Sequence, residues 1–441
     1  MPKSFFLVSL GCAKNFVDSE VIAGNLIKEG YTLSPNPGES QVAIVNTCAF
    51  LHDARVEALE TVKKMVDIKK APASRLKTII LTGCLTNYYK ETALKKIIPE
   101  IDLVVPFKYA QLIPLYLRNK KLPPANTWKR TLTKNNRFIT GSPHSVYVKI
   151  AEGCNNRCSY CLIPFIRGKL RSKPIEDIVF EVKALQKLGA KEINIVAQDT
   201  TAYGKDRYGK FMLVPLLQRI SLVKGIKWIR LLYAQPDRIK ADLIDLIAGE
   251  EKICKYLDIP IQHIDPKILR MMGRTATPEK IVALYQMIRE KIPSSVLRTT
   301  VMVGSPGEGE EEFNNLLAFL ERYPFERVGV FRFSPERKTA AYSQRPRVSP
   351  HVALQRAQEI MGRQKVQSRL FNRNLLGKKL EVLVDSYDGK KKMLQGRYQG
   401  QAPEVDGKVY VPNSAGKPGE FIQVKINGCG DYDLLGERII I

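Results

Sequence analysis

Apolar positions in the first hundred residues come in short runs separated by longer stretches of helical period. Phe5–Ser9, Val42–Asn46, Thr78–Leu81 and Leu103–Val105 read as strands, and 14–29, 51–69 and 87–98 as helices. That alternation predicts a parallel sheet with crossover helices. Residues 106–144 read as a connection, helical in its first half, with Lys, Pro, Asn and Thr dominant from Arg118 to Ser142. The rhythm then resumes with strand patterns at Val146–Ile150, Glu192–Ala197, Trp228–Tyr233, Tyr256–Pro260, Leu297–Val303 and Arg327–Phe333. Helical patterns near 174–188, 211–222, 237–248, 277–291 and 309–322 separate them, which predicts an open, partial parallel (β/α)6 barrel.

From about residue 373 the period changes to short strands between Gly and Pro turns: Leu380–Asp385, Leu394–Arg397, Lys408–Pro412, Phe421–Ile426 and Leu434–Ile440. Five strands in so short a stretch predict a small closed β-barrel of the oligonucleotide-binding kind. The chain is thus read as α/β with an N-terminal parallel domain at 1–117, a linker at 118–144, the partial barrel at 145–348 and the β-barrel at 373–441. A basic helix carrying Arg356, Arg363, Lys365 and Arg369 joins the last two at 349–372.

Eight cysteines add chemistry to this frame. Three sit just after the first barrel strand as Cys154-x3-Cys158-x2-Cys161, on one loop. Thiolates so close together suit an iron–sulfur cluster or zinc. A structural site usually has four protein ligands, and no fourth lies nearby: His144 is ten residues upstream of Cys154 and the next cysteine is Cys254. An open metal corner points to chemistry rather than scaffolding.

Three more cysteines end strands of the first domain: Cys12, Cys48 and Cys84, 36 residues apart in each interval. Ligands of open α/β sheets gather at the carboxyl ends of strands, so three turns are expected to deliver three thiols to one point. Buried cysteine as a plain small hydrophobe is the competing reading. The repeated position after a strand, with Gly or Thr beside it, favours ligation. Cys254 and Cys429 stand alone and read as structural.

Barrel active sites lie at the carboxyl ends of strands. There the chain places Gln198-Asp199-Thr200-Thr201, Gln262-His263 and Gly304-Ser305-Pro306-Gly307-Glu308. A Gly-rich turn before a helix N-terminus lets backbone approach a ligand and favours a carboxylate. His263 reads by default as a satisfied loop histidine.

Charge changes the picture of partners. Lys and Arg number 70 against 44 Asp and Glu, a net +26. That balance favours a polyanionic surface such as RNA or a ribonucleoprotein, although a generally basic proteome gives the same number. No apolar run approaches the roughly 20 residues of a membrane span. Phe5–Leu10 before Gly11-Cys12 faintly resembles a lipoprotein signal, but it falls short of the roughly 7–15 apolar residues of a signal core. The chain is therefore expected to be cytoplasmic, where clustered cysteines stay reduced and bind metals.

The three-thiol loop, with aromatic Tyr160 before its last cysteine, resembles the signature of the radical S-adenosylmethionine superfamily. Within it, the chain resembles the methylthiotransferases over nearly its whole length: a three-cysteine N-terminal domain, a radical barrel and a TRAM domain. The resemblance implies two four-iron four-sulfur clusters, one on Cys154, Cys158 and Cys161 and one on Cys12, Cys48 and Cys84. The first would bind S-adenosylmethionine and cleave it to a 5′-deoxyadenosyl radical; the second is thought to carry the sulfur to be inserted. Tyr160, Gln198, Asp199, His263, Gly304, Gly307 and Glu308 are the expected S-adenosylmethionine contacts.

Gly11-Cys12-Ala13-Lys14-Asn15-Phe16-Val17-Asp18-Ser19-Glu20 and Gln198-Asp199-Thr200-Thr201-Ala202-Tyr203-Gly204 resemble the branch that thiomethylates an aspartate of small-subunit ribosomal protein number twelve. The tRNA branch has Gln-Met-Asn and Gln-Asn-Val at these places. Two departures touch no cysteine: Gln235 stands where the family's Arg-Leu-Leu-Tyr-x-Tyr-Pro has tyrosine, and Ser305 where an aromatic residue is common. The β-carbon of an aspartate has no acidic proton, which is why a carbon radical is needed. A second S-adenosylmethionine would supply the methyl group, and a low-potential donor the electrons. A basic enzyme should repel a basic ribosomal protein, so contact with ribosomal RNA and salt-sensitive activity are expected. The chain is expected to act as a monomer. The tRNA adenosine enzyme, and from another class a non-catalytic iron–sulfur ribosome-binding factor, are the alternative readings.

Overall fold

A computed structural model describes residues 3–119 and 136–439. Most of the basic linker read at 118–144, and the end of the last strand at Ile440, lie outside the described residues. These fall into two compact units, one of 1–141 with 152–155 and 162–169, the other of 142–151, 156–161 and 170–441.

In the first unit, β1 (Ser4–Ser9), β2 (Thr32–Leu33), β3 (Val42–Thr47), β4 (Thr78–Gly83) and β5 (Leu103–Val104) form a sheet in the order β2-β1-β3-β4-β5. All four pairings are parallel. β3 is buried along its full length, as a central parallel strand covered on both faces must be. Its side chains alternate between two cores: Ala43 and Val45 pack with Ala58, Val62 and Leu85, while Val42 and Ile44 pack with Ile22, Leu26 and Ile113. The helices Ala13–Lys28 and His52–Lys70 supply much of this cover. The patterns at 14–29 and 51–69 anticipate these helices to within two residues. Strand β2 is the element the pattern missed; two residues are too few to show a period.

The second unit holds β6 (Ser145–Lys149), two-residue strands β7 (Ala151–Glu152, whose second residue belongs to the first unit) and β8 (Arg171–Ser172), β9 (Glu192–Val196), β10 (Trp228–Leu231), β11 (Ile253–Asp258), β12 (Val296–Val303) and β13 (Arg327–Arg332). Six of these form one sheet, β13-β12-β11-β10-β9-β6, parallel throughout. It is the expected partial barrel. Its helices carry ordinary N-caps: Thr277 accepts from Lys280 N, Ser349 from Val352 N and Asp265 from Lys267 N and Ile268 N. After the 24-residue helix Pro350–Arg373, β14 (Lys379–Asp388), β15 (Met393–Tyr398), β16 (Val409–Pro412), β17 (Phe421–Cys429) and β18 (Leu434–Arg438) close a barrel in the order β14-β15-β16-β18-β17.

Ionic contacts lock this small barrel to the large one within the same unit. Glu192, at the start of β9, is fully buried and accepts from Arg230 Nε at 3.0 Å, Arg397 Nη2 at 2.8 Å and Ser145 Oγ at 2.7 Å. Arg397 also bonds Asp385 Oδ2 at 2.8 Å, while Asp406 accepts from Tyr256 Oη at 2.7 Å and Arg298 Nη1 at 2.8 Å. Burial works to raise the Glu192 pKa, yet Arg397 and Arg230 hold it down at about 2. No described helix is long and apolar enough to cross a membrane.

Candidate metal centres

Register delivers the first three thiols. Asn46 on β3 pairs with Ser9 on β1 and with Thr82 on β4, so Cys12, Cys48 and Cys84 each follow one of three adjacent parallel strands. Two glycines let the turns close up. Gly11 has φ +90°, and a Cβ there would lie 2.6 Å from Cys48 Cβ; Gly83 has φ +95°, and a Cβ there would lie 2.5 Å from Thr47 N and O. Neither position admits a side chain, on conformational or on steric grounds.

The residues after Cys12 bind the turns together. Asn15 Nδ2 donates to Leu10 O at 2.6 Å and Asn46 O at 3.1 Å; Asn46 Nδ2 donates to Ser19 Oγ at 2.8 Å. Asp18 pairs with Arg167 at 2.9 Å, and Glu20 with Arg137 Nε at 2.7 Å and Thr140 N at 2.9 Å. The decapeptide Gly11–Glu20 is thus a clasp around the cysteine turns as much as a cysteine motif.

The three thiols differ. Cys84 is buried, Cys48 half-buried and Cys12 exposed. Burial pushes the Cys84 thiol up to about 11, against the pull of the Arg167 charge and its hydrogen bond from Nε at 3.2 Å. Burial raises Cys48 as well, with Cys12 adding to it. At Cys12 desolvation of the Sγ pocket acts upward, although the residue keeps exposed surface elsewhere. Lys14, Arg167 and the N–H groups of Asn15 and Lys14 outweigh it, leaving this thiol below its ordinary value. Mutual coupling of all three marks them as neighbours.

The second three-thiol set lies on the loop after β6, all three residues half-buried. In the first unit, Cys154 N donates to Gly168 O at 3.1 Å. In the second, Cys161 N donates to Cys158 O at 3.1 Å, and Ser159 is held by Met272 O at 2.9 Å and Met271 O at 2.7 Å. A Cβ on Gly273 would lie 2.5 Å from Arg157 O, so only glycine lets the loop backbone run this close. Arg274 adds positive charge, with Nη1 at 3.9 Å from Cys158 Sγ and 2.7 Å from Gln235 Oε1. Among the described residues no three His, Cys, Asp or Glu side chains close around a single ion.

The other expected residues fall into two groups. Tyr160 shares a small crevice with Ser159, Met271, Ser305, Pro306 and Phe333, which joins the cysteine loop to the turn after β12. Asp199 is buried and accepts from Asn156 Nδ2 at 2.9 Å, Thr201 Oγ1 at 2.5 Å and Arg238, so it tethers the cysteine loop to the end of β9. Gln198 precedes it, half-buried. His263, Gly304, Gly307 and Glu308 form the second group, around the turn after β12. Glu308 accepts from Gly304 N at 2.9 Å and from Arg356 at 2.7 Å, and a Cβ on Gly304 or Gly307 would meet Ala353 or Met271 at 2.5 Å. His263 is fully buried, takes the Asp265 N–H on Nδ1 at 3.0 Å and is pushed down to about 4 by burial. Tyr233 and Gln262 hold positive φ, 61° and 69°, in the segments that follow β10 and β11. Non-glycine outliers of this kind cluster at functional sites.

Sequence reading gave no role to Asn156, Arg167, Arg238 or Arg274, and read Arg356 only as part of a basic helix. Each arginine meets its partner from far along the chain, and no local spacing announces that.

An all-parallel partial barrel with a three-thiol loop after its first strand, followed by a small closed β-barrel, is the arrangement of a radical S-adenosylmethionine protein with a TRAM domain. Residues 148–320 match the radical SAM superfamily, 4–106 an uncharacterized protein family, UPF0004, and 376–439 the TRAM domain. The fold is shared with solved structures at low identity. The chain matches the methyltransferase TsrM of Kitasatospora setae, solved with cobalamin and a [4Fe-4S] cluster, with TM-score 0.56 and 15% identity over 75% of this chain and 72% of that one.

Among full-length relatives, the ribosomal protein uS12 methylthiotransferase RimO of Aquifex aeolicus is 43% identical, covering 98% of this chain and 96% of that one. Those of Natranaerobius thermophilus and a Thermoanaerobacter species are 41% and 42% identical, each covering 98% or more of both chains. The chain belongs to the RimO family of radical S-adenosylmethionine methylthiotransferases. An iron–sulfur cluster and S-adenosylmethionine come with that membership.

Proposed function

We propose that this chain inserts sulfur and a methyl group at the β-carbon of an aspartate of ribosomal protein uS12, with one four-iron cluster on Cys154, Cys158 and Cys161 and a second on Cys12, Cys48 and Cys84. The observation that supports the two-cluster reading is the register of β1, β3 and β4, three adjacent parallel strands each followed by one of these cysteines. When bound, the clusters and S-adenosylmethionine supply the radical that takes hydrogen from an unactivated carbon, and the sulfur and methyl that replace it.

The chain's own residues hold and orient these groups. Tyr160 and Gln198 are assigned to the S-adenosylmethionine face, and Asp199 to fixing the loop through Asn156 and Arg238. His263, Gly304, Gly307 and Glu308 shape the turn that faces Tyr160 across the crevice. His263 is kept neutral by burial, so it adds no cation to that turn.

The substrate is met on the ribosome or its assembly intermediates, where ribosomal RNA offsets the repulsion between a +26 chain and a basic protein. The chain acts as a monomer fed by a low-potential electron donor. Mass spectrometry of ribosomal proteins and tRNA from a deletion strain tests the assignment. Loss of one SCH2 increment from the uS12 aspartate is expected. Loss from a tRNA adenosine identifies the tRNA reaction instead, and loss from neither identifies a binding factor. Activity on free uS12 equal to that on subunits, and insensitive to salt, overturns the ribosomal RNA contact.

A further inference from the structure

Arg167 lies six residues beyond Cys161 in sequence yet is built into the first unit among the strand-end cysteines. Its side chain is 2% exposed. Nε–H donates to Cys84 Sγ at 3.2 Å, Nη1 to Asp18 at 2.9 Å and Glu152 at 3.2 Å, and Nη2 to Asn15 Oδ1 at 3.0 Å. The guanidinium plane is covered by Phe107, with 3.8 Å from its carbon to the ring centroid. Two carboxylates and an amide hold the fork from one side, so Nε has one direction left and it points at sulfur. Pairing Asp18 and Glu152 alone requires only a positive charge, which lysine supplies. The planar fork aimed at a thiol is what requires arginine.

We infer that Arg167 is a positioning residue for the cluster on Cys12, Cys48 and Cys84: its hydrogen bond and charge fix Cys84 and set the reduction potential of that cluster. The inference rests on the two-cluster reading above. Hydrogen bonds to ligating sulfur and nearby positive charge stabilise the reduced, more negative form of an iron–sulfur cluster. Removing them therefore moves the potential to more negative values. Outer partners of this sort are typically worth about 10–100-fold in metal affinity. Glu152 and Arg167 also stand on either side of the three-thiol loop in sequence, so one guanidinium grips both flanks of the segment that carries the other cysteines.

The test uses the full chain with Cys154, Cys158 and Cys161 all replaced by alanine, so that one cluster remains, and compares Arg167 with Arg167→Lys and Arg167→Gln. Iron content, release of iron to a chelator, and a potentiometric titration followed by electron paramagnetic resonance are read on each. Both variants are expected to show a more negative midpoint, an altered resonance and about ten-fold faster iron release. Lys is expected to keep the fold by circular dichroism, and it decides the matter if Gln does not fold. An unchanged midpoint and resonance in a folded, iron-replete Lys variant overturns the inference and leaves the two-cluster reading standing. Absence of iron from the three-alanine background overturns that reading, and the inference with it.

Discussion

Cys12, Cys48 and Cys84 are 36 residues apart at each step and meet only because β1, β3 and β4 are neighbours in register. Cys154, Cys158 and Cys161 need nothing but one loop. The distributed set depends on tight turns between strands and on glycines whose missing Cβ leaves room for backbone. The local set depends on side chains that pin a loop: Asn156 to Asp199 and Arg238, Ser159 to the Met271–Met272 carbonyls. A small change in the first unit's turns should therefore scatter one set of thiols while sparing the other, and loosening a loop tether should do the reverse.

The largest effect is expected at Gly83→Val. A β-branched side chain at φ +95°, with Cβ 2.5 Å from Thr47 backbone, has no accommodating movement short of separating β3 from β4. The variant should lose the iron of the distributed set and keep that of the loop, measured as iron per chain in backgrounds lacking one or the other triad. Retention of both contradicts the account of the turn.

Arg397→Met comes next. It leaves Glu192 buried with one of its two cations, and breaking a buried pair typically costs about 3–5 kcal/mol. Chemical denaturation should show that loss in the second unit alone. The folded pKa of Glu192, about 2, lies below the ordinary glutamate value of about 4.3. Its contribution is therefore complete above that value and is lost as pH falls toward 2. In Arg397→Met the acid limb of the stability profile should begin at higher pH; an unmoved limb contradicts the lock.

Arg238→Met removes the cation facing Asp199 and a donor to Asn156. Loop iron should be lost to chelators about ten-fold faster, as for other outer-partner losses, with the strand-end iron unaffected. The smallest effect belongs to His263. Its folded pKa, about 4, is below its ordinary value of about 6.5, so the unfolded chain takes up the proton first and stability falls as pH drops from about 6.5 toward 4. His263→Gln should flatten that segment of the profile. A wild-type slope in the variant assigns it to other groups.

How much of each set could be read from the amino acids follows from the same contrast. The loop's spacing is local, so Cys154, Cys158 and Cys161 were legible at once. Cys12, Cys48 and Cys84 were legible only through the strand rhythm, because their meeting is a property of the sheet. Strands and helices were placed within a few residues wherever apolar runs were long, and β2 was missed because Thr32–Leu33 carries no period. The roles of the arginines were not legible: Arg167 meets Cys84 and Asp18, Arg238 meets Asp199 and Arg356 meets Glu308, all partners chosen by tertiary packing far along the chain. Nor did the Gly304–Gly307 pattern announce that Ala353 and Met271 pack against these two glycines.

The claim on which the rest depends is that six cysteines form two separate cluster sites. Iron and acid-labile sulfide counted after anaerobic reconstitution test it directly, in the unaltered chain and in two variants, each with one triad replaced by alanine. Two four-iron clusters predict about eight iron atoms per chain, falling to about four in either variant. About four in the unaltered chain, undiminished when Cys12, Cys48 and Cys84 are replaced, would contradict it.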